Sequence, residues 1–273
     1  MGKECIANGI RIHYEEYGQG EPLLLLMGLG APGRKWAPHI AAYEKHFHVI
    51  APDNRGAGQS DKPVAYSYTI QEMAEDMVAL MDKLGIEKAH VNGISMGGAI
   101  AQHLAVYYPE RVKSLILTNT FPWCCTSNRR AIELLRETCG QLDPVTATRL
   151  CQWMIFAIPF QNEREDYMLE CEYADLNEPY PMPSYAYKAQ CNAILDFDIR
   201  DRLGEIKAPA LVVGGDRDLL IPAWVTREMA GAIPGARLYM APDGGHVQHW
   251  EQLEKYNELT LEFLLENQGQ GHQ

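Results

Sequence analysis

One hexapeptide limits this chain more than any other stretch. Gly93-Ile94-Ser95-Met96-Gly97-Gly98 lies where an apolar run, residues 88–94, gives way to an apolar helical segment, residues 96–108. A serine with glycine two residues away on each side, at a strand-to-helix junction, predicts a sharp turn held in a strained backbone conformation. The glycines let strand and helix approach without a Cβ between them. Ser95 Oγ then stands at the tip of a sheet and at a helix N-terminus, where free N–H groups and a partial positive charge favour a developing oxyanion.

The flanking pattern predicts the sheet. Residues 3–7 and 11–17 are strand-like and flank Asn8-Gly9, a strong short hairpin signal. Residues 22–27 and 48–52 are short apolar runs suited to strands buried on both faces. A loop from Gly28 to Gly33 and a helix over 36–46 separate them. Residues 68–84 carry apolar positions three and four apart, with Thr69 and Glu72 as a capping box and Gly85 as the stop. Buried strands follow at 112–119 and 210–215 and a further strand at 237–240, with helices at 223–232 and 252–266. Strand and helix alternate, which predicts an α/β fold with a doubly wound, mostly parallel sheet.

The rhythm breaks after Phe121. Residues 122–207 carry no clear buried strand but helical patterns at 129–139, 146–156, 163–175 and 185–195, separated by prolines and rich in aromatics, Met and Cys. The expected organisation is a core of residues 1–121 and 208–266 with a helical cap insertion at 122–207. The cap then lies over the C-terminal edge of the sheet, where open α/β sheets bind ligands. The glycine-rich tail, 267–273, is expected to be disordered.

Charge and cysteine usage narrow the partners. A net charge of −12 argues against nucleic acid or an anionic membrane. No stretch is long and apolar enough for a signal peptide or a membrane span. The seven cysteines form no paired C-x-x-C set with nearby histidines, so no metal site is expected, and they read as reduced thiols in the cytoplasm. Nothing in the sequence specifies oligomeric state, and a homo-oligomer stays open.

A serine nucleophile needs a base and an acid to orient it, here in the chain order nucleophile, acid, histidine. Two loops after late strands offer them. Gly215-Asp216-Arg217-Asp218 supplies an aspartate at 216 or 218, and Asp243-Gly244-Gly245-His246 supplies the histidine.

With those residues assembled, the chain resembles the α/β-hydrolase superfamily. The resemblance rests on the Ser95 motif, Tyr108-Pro109-Glu110-Arg111-Val112, Asp53-Asn54-Arg55-Gly56-Ala57-Gly58-Gln59-Ser60, Gly215 with Asp218 and Pro222, and Gly245-His246 followed by Trp250-Glu251. It covers the whole length apart from the cap. The family pattern selects Asp218 over Asp216. His246 is preferred to His249, which reads as a surface or pocket-rim residue. The resemblance implies an oxyanion hole from the backbone N–H groups of Leu29 and Met96. The family commonly has His-Gly where this chain has Met27-Gly28, and a backbone donor survives that change. Asp53, Arg55 and Ser60 are architectural in the family.

The implied activity is a serine hydrolase acting on carboxylic esters or lactones through an acyl-enzyme, with a small-molecule substrate and no cofactor or metal. Gly28, Trp123, Trp153, Phe156 and Val247 are the expected pocket residues, and Arg164 is a candidate clamp for a substrate carboxylate. The chain also resembles enol-lactone hydrolases and carbon–carbon bond hydrolases of aromatic degradation. Many of the latter carry tryptophan after the catalytic histidine, where this chain has Val247. Haloalkane dehalogenases and epoxide hydrolases, which use an aspartate nucleophile, are disfavoured by Ser95. Proline iminopeptidases, which carry tryptophan after the serine, are disfavoured by Met96. A ligand-binding receptor on the same fold is the non-enzymatic alternative.

Overall fold

The computed structural model describes residues 2–269. In chain order its strands are β1 (Lys3–Ala7), β2 (Ile10–Tyr17), β3 (Glu21–Leu26), β4 (Phe47–Pro52), β5 (Ala89–Ile94), β6 (Val112–Thr118), β7 (Ala210–Gly215) and β8 (Arg237–Ala241). They form one eight-stranded sheet in the order β1-β2-β4-β3-β5-β6-β7-β8. β1 and β2 pair antiparallel, β2 pairs antiparallel with β4, and every later pairing is parallel. The β1–β2 turn places Asn8 and Gly9 at φ 47° and 79°, as a type I′ hairpin requires.

Helix α1 (Ala37–Tyr43) follows β3, α2 (Ile70–Lys83) follows β4, and α3 (Met96–Tyr107) follows β5. The Thr69–Glu72 capping box forms in both directions, worth about 1 kcal/mol. Strand β3 shows how one sheet supports two layers. Leu24 and Leu26 pack into the core with Met73, Met77 and Ala101, whereas Leu23 and Leu25 pack with Trp36, Tyr43 and Phe263. Period two sends successive side chains to opposite faces, so an unbroken leucine run fills both cores.

Between β6 and β7 the chain is helical: α4 (Thr126–Thr138), α5 (Pro144–Ile155), α6 (Ile158–Glu163), α7 (Glu165–Leu176) and α8 (Ser184–Asp196). The short α6, with Pro159 in its first turn, has no counterpart in the sequence reading, since six residues give too few turns for a period to show. After β7 come α9 (Ala223–Ala232), α10 (Gln248–Glu251) and α11 (Leu253–Glu266). Three residues of the expected disordered tail are ordered in a turn. Asn267 Nδ2 donates to Phe263 O at 2.7 Å and Gly269 N–H to Glu21 Oε1 at 3.1 Å. Residues 270–273 lie outside the described residues.

The chain passes from β3 outward to β4 and then back across β3 to β5. This reversal opens a crevice at the C-terminal ends of β3 and β5. The loops leaving those two strands begin at Met27 and Ser95.

Candidate active site

Ser95 sits in that crevice with φ 55° and ψ −119°, a region a non-glycine residue enters at a cost of order 1–3 kcal/mol. Neighbouring contacts hold it there. Its N–H donates to Thr118 O at 3.0 Å, and its carbonyl accepts from Thr120 Oγ1 at 2.7 Å and from the N–H groups of Gly98 and Ala99. The glycines are obligatory. A Cβ on Gly93 would lie 2.3 Å from Gly97 O, and one on Gly97 would lie 2.2 Å from Leu26 O.

The loop after β7 meets the loop after β8. Asp218 Oδ2 lies 2.9 Å from His246 Nδ1. The other carboxylate oxygen accepts the N–H groups of Leu220 and Ile221 at 2.8 and 2.9 Å. Asn119 Nδ2 donates to Asp218 Oδ2 at 2.8 Å and to Gly245 O at 3.1 Å. Asp218 is thus surrounded by four donors, which fix its orientation. Asp216 points elsewhere, into an exposed ion pair with Arg217 at 3.9 Å.

Two residues of this framework escaped the sequence reading. Asn119 is 99 residues from the carboxylate it orients; its one local trace is an Asn at the end of a buried strand, in the left-handed region at φ 44°. Glu251, noted only as part of a motif, accepts from Gly245 N–H and Ala157 N–H at 2.7 Å each. It ties the His246 loop to the junction of α5 and α6, and burial raises its carboxyl above the usual range.

Ser95 and His246 line one cavity of about 120 Å³. Gly28, Leu29 and Val247 line it too. A Cβ on Gly28 would lie 3.1 Å from Ser95 Cβ, so the loop after β3 runs directly beside the serine. The neighbouring amides of that loop are engaged, Gly30 N–H with Gln190 Oε1 at 2.8 Å and Ala31 N–H with Gly28 O at 3.3 Å. None of these bonds takes the N–H of Leu29, nor do the bonds to the Ser95 carbonyl take that of Met96.

The remaining wall is apolar and comes from the helices between β6 and β7: Ile132 and Leu135 of α4, Cys151 and Ile155 of α5, Tyr187 and Ile194 of α8. Trp123, Trp153 and Phe156 are not among the lining residues. Trp123 packs on Trp224 under the Arg200 guanidinium, 4.9 Å from its ring centre. Trp153 is 55% exposed. Phe156 stacks on Phe160 at 5.6 Å and faces a separate surface cleft beside Asp216. The reason is helical phase: Cys151 and Ile155, four apart, face the cavity, which turns Trp153 to solvent. Arg164 is exposed, paired with Asp166 at 3.1 Å. His249 is not a surface residue. It is 1% exposed, stacks on His39 at 5.6 Å and lines the cavity. Burial, with His39 and His246 nearby, drives its imidazole far below the ordinary range, so it is neutral at pH 7.

Asp53, Arg55 and Ser60 build the adjoining loop. Arg55 forks onto buried Asp76 at 2.6 and 2.7 Å. Asp53 accepts the N–H groups of Gly33 and Gln59 at 2.7 Å, and Ser60 Oγ donates to Asp53 O at 2.6 Å. All seven cysteines are free thiols. Among the described residues no His/Cys/Asp/Glu cluster could hold a metal ion, and no helix is long and apolar enough to cross a membrane.

A family model described as the alpha/beta hydrolase fold matches residues 21–253. The chain belongs to the α/β-hydrolase family. Its relatives are named for different substrates. It is 32% identical over 257 residues to a putative carbamate hydrolase RutD of Caulobacter sp. (strain K31), covering 93% of this chain and 94% of that one. It is also 32% identical over 276 residues to a 2-hydroxy-6-oxo-6-phenylhexa-2,4-dienoate hydrolase of Burkholderia cepacia, covering 94% and 92%. The solved enol-lactonase of Burkholderia xenovorans LB400 matches with a TM-score of 0.87 at 27% identity, over 96% of this chain and 100% of that one. This α/β hydrolase therefore shares its fold with enzymes of several substrate classes.

Proposed function

We propose that this hydrolase cleaves small, uncharged carboxylic esters or lactones through an acyl-enzyme on Ser95. His246 takes the Ser95 proton as Oγ attacks the carbonyl carbon, and Asp218 holds the imidazole tautomer and stabilises the imidazolium. The backbone N–H groups of Leu29 and Met96 stabilise the oxyanion, each worth about 3 kcal/mol of barrier. His246 then protonates the leaving alkoxide. Water, activated by the same imidazole, attacks the acyl carbon, expels Ser95 and releases the carboxylic acid. The helical segment 122–207 acts as a cap that selects the acyl group.

The observation that carries the substrate reading is the cavity's lack of positive charge. None of the described residues lining it is lysine or arginine, and the buried His249 is neutral. A carboxylate entering this wall would be desolvated with no cation to meet it, at a cost of several kcal/mol. That weighs against carboxylated substrates such as the dienoate in the Burkholderia cepacia relative's name, and the Arg164 clamp is unsupported.

The test is steady-state kinetics on p-nitrophenyl esters of rising acyl length, simple lactones, a neutral carbamate and a vinylogous 1,5-diketo acid, each with wild type and Ser95→Ala. Neutral esters or lactones are expected to turn over and the diketo acid to lag by at least about 100-fold in kcat/KM. Dominance of the diketo acid would assign the enzyme to carbon–carbon cleavage, and dominance of the carbamate to carbamate hydrolysis.

A further inference from the structure

The loop that begins at Gly28 carries a turn bond of its own, Ala31 N–H to Gly28 O at 3.3 Å, and further hydrogen bonds hold it from outside. Asn54 Nδ2 donates to Met27 O at 2.9 Å, and Asp53 Oδ1 accepts from Gly33 N–H at 2.7 Å. These pins hold its two ends. Its middle, next to Leu29, is held from across the cavity by α8. Gln190 Oε1 accepts from Gly30 N–H at 2.8 Å, while its Nε2 donates to Arg55 O at 2.8 Å. The side chain is fully buried, so the amide bridges two loops of the sheet side from inside the protein. One turn earlier, Tyr187 lies over Gly30, where a Cβ would meet its ring at 3.1 Å.

We propose that Gln190 is a positioning residue for the oxyanion hole: by fixing Gly30 N–H it holds the Leu29–Gly30 peptide, and through it the adjoining Gly28–Leu29 peptide whose N–H is aimed at the reacting oxygen. The inference rests on the ester or lactone reading above. Its physical basis is that both of the amide's bonds are buried and directional. Removing them leaves a donor and an acceptor unpaired, and the freed loop can rotate a donor whose value depends on geometry. Because α8 also carries Tyr187 and Ile194 of the cavity wall, the helix that contacts the acyl group also sets the hole.

The test compares wild type, Gln190→Met and Asn192→Ala with p-nitrophenyl butyrate as substrate and a trifluoromethyl ketone of the same acyl length as transition-state analogue. Asn192 is the control, since its Nδ2 fastens α8 to Tyr66 O at 2.7 Å without touching the oxyanion loop. Gln190→Met is expected to lower kcat by about 10–100-fold, less than full loss of a donor. Its KM should stay within about threefold, and analogue affinity should fall in parallel with kcat. Asn192→Ala should leave kcat and analogue affinity within about threefold. Equal losses in both variants would mean that α8 merely needs attachment, and unchanged analogue affinity in Gln190→Met would overturn the inference. Should Gln190→Met fail to fold, Gln190→Asn repeats the test, because its amide is one methylene too short to reach both loops; wild-type kcat and analogue affinity there would equally overturn it. A wild type whose ester turnover matches that of Ser95→Ala points to failure of the functional reading instead.

Discussion

The sheet side of the cavity and its helical side are held by different kinds of interaction. On the sheet side, Ser95, Asp218 and His246 are fixed by backbone strain, by glycines that admit no Cβ, and by buried hydrogen bonds of 2.7–3.1 Å. On the helical side, α4, α5 and α8 present aliphatic and thiol groups, and Trp153, Leu134 and Tyr173 of the same segment are about half exposed or more. Directional bonds define a reaction geometry, whereas apolar walls define only a volume. Under the proposed function the chemistry falls to the sheet loops and the choice of acyl group to the helices, and substitutions on the two sides should differ in kind.

The largest effect is expected at Ser95. Ser95→Ala should lower kcat by about 10⁴-fold or more with the melting temperature unchanged; residual activity above a few per cent would place the nucleophile elsewhere. Asp218→Asn should lower kcat by about 10⁴-fold, whereas Asp216→Asn should stay within about twofold. Kinetics of the pair decide between the two aspartates, and the reverse ranking would contradict the geometry.

Acid should loosen the sheet side. Burial pushes His39 and His103 down to about 4 from an ordinary 6.5. The unfolded chain therefore takes up protons below about pH 6.5 while the folded chain does not until about pH 4, so stability is lost as pH falls through that window. For fully buried His39 the loss is about 3 kcal/mol. Urea unfolding at pH 7 and pH 4.5 should show it, and His39→Gln should reduce the difference by the His39 share while the contribution of the other buried histidines remains.

Smaller effects test the helical side. Leu135→Ala should shift the preferred acyl chain toward longer esters by about tenfold in relative kcat/KM, in line with the 1–3 kcal/mol a pocket methylene or two can discriminate, and leave acetate turnover within about threefold. Trp153→Ala, which removes an exposed ring, should change neither selectivity nor kcat by more than about twofold. A large effect at Trp153 would mean that the helical wall is drawn from the wrong helix faces.

The same division explains what could be read from the chain. The elbow is legible because its requirement is local: two glycines four residues apart around one serine. Strand β3 is legible because a leucine run bounded by turns fits only a strand covered on both faces. The pocket is not, because aromatic content does not reveal helix phase, and Trp153 falls between the two lining positions of α5. Asn119 and Gln190 are invisible for another reason. Each acts on a loop about 100 or more residues away in sequence, and only the folded topology brings those loops together. His249 misleads because a histidine between Gln248 and Trp250 reads as a helix-entry residue at the rim, while the contacts that bury it, His39 and Trp36, come from the other end of the chain.

The most direct measurement is fluorophosphonate labelling of the folded protein, read by peptide mass spectrometry, with heat-denatured protein and Ser95→Ala as controls. The account predicts one adduct, on Ser95, in the folded wild type and none in either control. No adduct, or one on another residue, would contradict an activated serine at this site.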